Sequence, residues 1–414
     1  MPDSRTDIAA LDAPPDPASR VSALLARFGS PLFLVDEAAL RAAYCEFCRG
    51  FADAGIEAWV AYSYKTNYLP AVCAILHDEG ARAEVVSGME YALARALGVG
   101  AADIVFNGPA KTRPDLERAL GDGALVVIDG FDELDAVVAI AAAMAQPVRF
   151  GLRLDFGEGG WSRFGIRAEN GDATRALKRI AGAANLRLEL LHRHAGTDHR
   201  DPEPYFRAAQ GLARVRAEAA ALGLDITALD FGGGFPANLS IGPFAAAIAR
   251  GLGREAVRVV VEPGRALVER AMQLACTVIA VKEMPGGGRA VVVDAGINLL
   301  PLLCRSAPRP VRALDVAGAT HPAAVFGPLC MPEDRLAEAA MLPPVRAGDV
   351  LVIEEAGAYT LSQSSEFTAP RPAVVLLGPN GPEVVRRRED WRDVIEPCEL
   401  PARLRPQLRN PDLK

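Results

Sequence analysis

The chain has 414 residues, half of them hydrophobic and 23% charged, with 45 basic against 52 acidic side chains and a net charge of −7. That length is enough for two domains with ample core, and the composition is ordinary for a soluble globular protein. The acidic balance excludes a nucleic-acid partner, which needs a basic surface, and no apolar stretch approaches the length of a membrane span.

In chain order, Met1 to about Ser19 is rich in Pro, Asp and Ala and lacks an apolar signal core. Residues 1–30 are therefore expected to form a flexible leader that runs into the edge of a β domain. Pro31–Val35 reads as a strand at that edge, leading into a helix from Asp36. Short apolar runs then alternate with helical patterns: Glu57–Tyr62, Ala83–Val86, Asp103–Phe106, Leu125–Asp129, Val148–Asp155, Arg187–His194, Thr227–Phe231 and Arg258–Glu262. The clearest helices between them are Phe131–Ala145 and Pro204–Leu222. Eight strand-like runs separated by helices predict a (β/α)8 barrel over residues 31–268. Lys65, Ser87, Asn107, His194, Gly232 and Glu262 all fall at strand C-termini, where such barrels carry their chemistry. After Val268 the pattern changes to Leu274–Lys282, Arg289–Asp294, Asp349–Glu355 and Pro372–Leu377, strand-like and separated by Pro/Gly-rich turns. Residues 269–414 are thus expected to be a mostly β second domain.

The seven cysteines are scattered and odd in number, which predicts free thiols in a reducing, cytoplasmic setting. Cys45 and Cys48 form a CxxC, but they lie one turn apart in a helical pattern with no second pair, so no metal site is expected.

Lys65 follows the β-branched and aromatic run Glu57–Tyr62. The triple glycine Gly232-Gly233-Gly234 and the turn Glu262-Pro263-Gly264-Arg265 come after it in order. A strand-end lysine, a phosphate cradle and an acid-plus-arginine turn are the equipment for pyridoxal 5'-phosphate. Lysine forms an imine with the aldehyde, glycine amides receive the phosphate, and an acid pairs with the pyridine nitrogen. The aromatic neighbours Trp59, Tyr62, Tyr64 and Tyr68 predict a lowered pKa for Lys65. Gly233 and Gly234 lack side chains that would keep their amides from a dianion.

On these residues the chain resembles the fold-type III pyridoxal-phosphate decarboxylases, the diaminopimelate and ornithine decarboxylase family, over roughly residues 30 to 380. The motifs stand in the family's order: Tyr64-Lys65-Thr66-Asn67, Glu84–Gly88, Asn107–Lys111, Ser162–Gly165, His192–Thr197, Gly232–Phe235, Glu262–Arg265, Gly327–Cys330 and Gly357-Ala358-Tyr359. The resemblance implies a homodimeric carboxy-lyase. It makes Lys65 the cofactor's covalent tether, Glu262 the partner of the pyridine nitrogen and His194 the residue stacked on the ring. Thr197, Gly233, Gly234, Gly264, Arg265 and Tyr359 fall at the phosphate end, with Arg265 and Tyr359 also placed toward the substrate. His192 shares a strand face with His194; His194 is preferred because it directly precedes Ala195-Gly196-Thr197. Cys330 and Asp334 match a pair given across the dimer interface, the cysteine returning a proton after CO2 leaves.

The substrate-facing positions depart from the diaminopimelate enzymes. Met331 stands where the family has an acid that reads the distal amino group. Leu299–Cys304 lacks the Arg-Pro-x-x-Tyr segment, and Glu366-Phe367-Thr368 replaces Asn-Tyr-Asn. A site without charged readers rejects diaminopimelate and ornithine, whose distal charges would be buried unpaired. The expected substrate is an amino acid with a neutral or bulky tail, or one conjugated or carrier-bound, as in secondary metabolism. Diaminopimelate decarboxylase proper and an amino-acid racemase on the same fold are the alternatives. Glu262 and Cys330 speak against the racemase, and the roughly 145 residues after Val268 speak against a non-catalytic cofactor carrier, which is a single barrel.

Overall fold

The computed structural model describes residues 17–157, 162–285, 287–301, 308–401 and 403. Helix α1 (Pro17–Phe28) precedes strand β1 (Leu32–Asp36), and helix α2 (Glu37–Ala52) then opens the barrel, capped by the Asp36 carboxylate on the Ala39 N–H at 3.0 Å. The barrel strands are β2 (Ala58–Ser63), β3 (Arg82–Val85), β4 (Ile104–Phe106), β5 (Leu125–Ile128), β6 (Val148–Asp155), β8 (Leu186–His192), β9 (Ala228–Asp230) and β10 (Arg258–Val261). A two-residue strand, β7 (Ile166–Arg167), pairs only with β6. All eight barrel strands run parallel, and the β10–β2 and β5–β6 pairings close the ring. Each expected run is present to within two residues at either end. These strands are buried along most of their length because one face fills the barrel and the other meets the helices. Inside, Ala61, Val105, Leu125, Val127, Leu190, Ala228 and Val260 form their own apolar cluster below the strand C-termini. Trp59 closes the lower end between the Arg82 and Arg258 guanidiniums, 3.5 and 3.7 Å from its ring.

The second domain is built from β1 and from β11 (Met272–Glu283), β12 (Arg289–Val293), β13 (Val311–Leu314), β14 (His321–Phe326), β15 (Arg335–Leu342), β16 (Val350–Ile353), β17 (Ala373–Gly378) and β18 (Gly381–Arg386). Two sequence expectations need correction here. Strand β1 does not lie at the edge of the β domain but inside its sheet, antiparallel to β11 and parallel to β17. The barrel therefore starts at α2. The leader is also not wholly irregular. Val21, Leu24 and Leu25 of α1 pack on Leu32, Leu34, Ala275 and Val375, and Arg388 donates to the Phe28 and Pro31 carbonyls. Residues 1–16 lie outside the described residues.

Candidate active site

Lys65 occupies a 3₁₀ turn, Tyr64–Thr66, at the end of β2. The turn is fixed from both domains. Tyr62 donates its hydroxyl to the Asn67 carbonyl at 2.7 Å, and Ser63 N–H donates to Pro263 O at 3.2 Å. From the β domain, the Tyr359 N–H (2.8 Å) and the Ser362 hydroxyl (3.2 Å) both donate to the Thr66 carbonyl, and Asn67 Nδ2 donates to Gly357 O at 3.0 Å. Lys65 Nζ then donates to Ser63 Oγ at 2.7 Å and Glu84 Oε2 at 2.6 Å. Glu84 comes from the neighbouring strand β3 and is 1% exposed. The expectation of a lowered Lys65 pKa is corrected by this pair. Burial pulls the ammonium down, but Glu84, with Tyr359 and Glu262 behind it, outweighs burial and holds it above its ordinary value.

Glu262 follows β10 and is buried. Asn107 Nδ2, from the end of β4, donates to Oε1, and His192 Nε2 lies 3.3 Å from Oε2. Burial alone would raise this carboxyl; the His192 donor, the Lys65 charge and the neighbouring Asp230 outweigh it and hold it at about 2. Burial lowers the pKa of His192. A neutral ring protonated on Nε2 gives Glu262 its donor and leaves Nδ1, which has no partner, without hydrogen.

His194 sits two residues on, beyond the strand, and accepts the Gly233 N–H on Nδ1 at 3.0 Å. The two histidines thus have different partners, the carboxylate for His192 and the glycine turn for His194. Sequence reasoning named Asn107 only by its place at a strand end, set His192 aside in favour of His194, and passed over Asp230 and Ser63. Their position at strand ends was the available signal.

The glycine turn leaves no room for side chains. A Cβ on Gly233 would lie 2.5 Å from the Glu262 carbonyl, and one on Gly234, whose φ is +91°, would lie 2.3 Å from Gly196 O. Gly264 is equally confined: a Cβ there would lie 2.0 Å from Thr66 Oγ1, and that hydroxyl is buried without a partner. Thr197 is exposed beside this region. An unpartnered hydroxyl, an unpartnered Asn107 Oδ1 and a side-chain-free turn around a lysine and a carboxylate fit pyridoxal phosphate. Arg265 answers its charge within the chain. It pairs with Glu269, and its guanidinium lies 5.5 Å from the ring of Tyr359, which holds a left-handed φ of +56°.

The loop Gly327–Asp334 belongs to the β domain. Cys330 is exposed and Met331 half-buried. Asp334, expected with Cys330 to reach across the dimer interface, has both its oxygens engaged within its own chain. It is 2% exposed, and its two oxygens accept the Ile297 N–H at 2.8 Å and the Leu329 N–H at 2.7 Å. It ties the cysteine loop to the loop after β12 instead. The segment Glu366-Phe367-Thr368 is framed by Arg371, paired with Glu366, and by Asn298 Nδ2 to the Ser365 and Phe367 carbonyls at 3.4 and 3.5 Å. Leu302, Leu303, Cys304 and Arg305 lie outside the described residues. Among the described residues no helix is long and apolar enough to cross a membrane.

Comparison with known proteins agrees with this geometry. Residues 41–269 match the family described as pyridoxal-dependent decarboxylase, pyridoxal binding domain. The chain is 34% identical over 402 residues to a diaminopimelate decarboxylase of Actinosynnema pretiosum subsp. auranticum, covering 90% of this chain and 89% of the relative. It is 29% identical to that of Bacillus subtilis, covering 91% and 93%. Among solved structures, the diaminopimelate decarboxylase of M. jannaschii superposes with a TM-score of 0.87 at 26% identity, covering 92% and 95%. A lysine/ornithine decarboxylase of Vibrio vulnificus superposes with 0.76 at 28%, covering 87% and 98%. By this family match and these relatives, the chain belongs to the pyridoxal-phosphate-dependent decarboxylases and is an amino-acid carboxy-lyase.

Proposed function

We propose that this carboxy-lyase acts on an α-amino acid whose distal end is neutral or bulky, or is conjugated or carried on another molecule, in secondary metabolism. The observation that carries this reading is the contrast between a complete cofactor floor and an uncharged Met331 beside Cys330. Lys65 is the cofactor's tether, Glu262 faces the pyridine nitrogen, His194 lies against the ring, and Gly233, Gly234, Gly264, Thr197 and Tyr359 surround the phosphate. The bound cofactor supplies the sink for the electron pair left when the Cα–carboxyl bond breaks. Glu262, kept ionised by its donors, favours a protonated pyridine nitrogen, which deepens that sink. In a homodimer Cys330 of one protomer gives a proton back to Cα in the other's site. The six described cysteines are free, which suits a reducing, cytoplasmic setting.

A second reading is diaminopimelate decarboxylase proper, favoured by relatives of that name at 27–34% identity. Kinetics separate the two. Losing two or three charge-assisted contacts, each worth roughly 1.5–3 kcal/mol, costs on the order of a thousandfold in kcat/KM. Turnover of meso-diaminopimelate within about tenfold of the best substrate in a panel of amino acids and conjugates would decide for the second reading. In either case Lys65→Ala should lose the visible absorption of the bound cofactor together with CO2 release.

A further inference from the structure

Asp230 closes β9 two residues before Gly232, and none of it reaches solvent. Its Oδ1 accepts the Gly232 N–H at 2.8 Å. Its Oδ2 is buried with no donor to accept from, and the carboxyl lies against that of Glu262. Donor atoms of His192, Asp230 and Glu262 fall within 4.8 Å of one another. Two full negative charges at this separation in a dry enclosure repel strongly, so one carboxyl keeps its proton.

The surroundings decide which. Lys65 reaches in from the end of β2, Glu84 from β3, Asn107 from β4, Arg153 from β6, and His192 and His194 from β8. Glu262 has the Asn107 amide, the His192 ring and the nearby Lys65 ammonium to favour its anion. Asp230 has one backbone N–H, with burial, Glu262 and Glu84 opposing its charge, and its carboxyl is pushed well above the ordinary range. A proton on Oδ2 also turns an unpartnered acceptor into a donor to Glu262, which removes the orphan.

We propose that Asp230 is a neutral positioning residue of the cofactor floor, its Oδ2–H held by Glu262 and its Oδ1 holding Gly232, so that one side chain keeps the pyridine-side carboxylate and the phosphate-side turn in fixed relation. This rests on the reading that Glu262 and the glycine turn hold the cofactor.

Asparagine reproduces a neutral carboxyl: its oxygen can accept from Gly232 and its amide can donate to Glu262. Serine can keep the Gly232 bond but is too short for Glu262, and alanine loses both. Binding of pyridoxal phosphate to stripped protein, followed by titration of its absorbance, should leave Asp230→Asn within about threefold of wild type. Asp230→Ala should weaken by about tenfold or more, the worth of one or two buried hydrogen bonds, and Asp230→Ser should lie between them. An asparagine variant as weak as alanine means that Asp230 acts as an anion, and alanine binding as tightly as wild type means that it positions nothing; either overturns the proposal. The cofactor-free proteins supply a measurement independent of the functional reading. An acid that must stay protonated in the fold destabilises it at neutral pH, so Asp230→Asn should melt at or above the wild-type temperature. A clear fall overturns the neutral assignment, whereas wild-type protein that takes up no pyridoxal phosphate overturns the functional reading instead.

Discussion

Replacing Glu90 with glutamine should stabilise the protein at neutral pH, although it removes a hydrogen-bonded acid at a helix start. Glu90 lies in the first turn of the helix Gly88–Ala96 and is 4% exposed. Its Oε2 accepts the Val86 N–H at 2.7 Å, and its own N–H donates to the capping Ser87 hydroxyl at 3.2 Å. Burial is the largest influence on the carboxyl, with the Glu84 charge adding to it. Together they outweigh the Val86 bond and Lys65 and raise it from 4.5 to about 7. The unfolded chain therefore loses this proton at a lower pH than the fold does. Between the two values the unfolded state binds fewer protons, so stability falls as pH rises through that window. The accumulated cost above pH 7 is about 3 kcal/mol. Glutamine carries no charge at any pH, and its carbonyl can still accept from Val86. Urea denaturation of wild type and Glu90→Gln across a pH series should give equal stabilities near pH 4.5. The curves should then diverge, with the variant ahead by about 3 kcal/mol above pH 7. Parallel pH profiles, or a variant that is the weaker at neutral pH, would refute the reasoning.

Asp334→Ala should lower the stability of cofactor-free protein by about 3 kcal/mol or more, because it leaves two buried amides without acceptors; a denaturation midpoint equal to wild type would refute that structural role. Glu84→Gln removes the main charge that raises Lys65, so the cofactor-free variant should have a Lys65 ammonium that ionises at lower pH, seen as faster labelling by an amine-specific reagent at fixed alkaline pH. Unchanged labelling would count against the pair. Mixing inactive Lys65→Ala and Cys330→Ala proteins should restore part of the activity if each site draws its cysteine from the other protomer. No rescue despite demonstrated subunit exchange would remove that feature.

The barrel was legible because its strands are short, apolar on both faces and evenly punctuated, and no other arrangement accommodates eight such units so simply. The β domain was read less completely. Strand β15, Arg335–Leu342, is Arg-Leu-Ala-Glu-Ala-Ala-Met-Leu, a composition of good helix formers, yet it pairs with β14 as a strand. Strand β14 carries Pro322, which also argues locally against a strand. In both, sheet pairing overrides local preference. Within the candidate site, Lys65, the glycine turn and Glu262 stood out because each sits in a local motif. That Asp230, His192 and Asn107 meet at Glu262 was not legible, because they do so only when the ends of β4, β8, β9 and β10 are drawn together by closure of the ring. The charge of Lys65 was misjudged for the same reason: Glu84 is nineteen residues away in sequence and on the next strand in space.

The proposed change of substrate readers beside an intact cofactor floor has a basis in how the two sets of residues are held. Groups around the cofactor are bonded to one another across barrel strand ends: Lys65 to Glu84, Asn107 and His192 to Glu262, His194 to Gly233. Exchanging one of them leaves a buried partner unsatisfied, at a cost felt by the whole floor. Met331 and Glu366–Thr368 stand instead on β-domain loops whose frames are separate. Asp334 ties one to backbone amides, and Arg371 with Asn298 ties the other. Met331 joins its frame through the backbone, its carbonyl accepting the Asp334 N–H at 3.2 Å, a bond any residue can make, so a charged side chain there can be exchanged for a neutral one with little structural penalty. The domains meet where exchange would be costly, at the Thr66 carbonyl that accepts from Tyr359 and Ser362. On the proposed reading, substrate choice falls to side chains on loops the fold already holds, and the chemistry to side chains that hold one another.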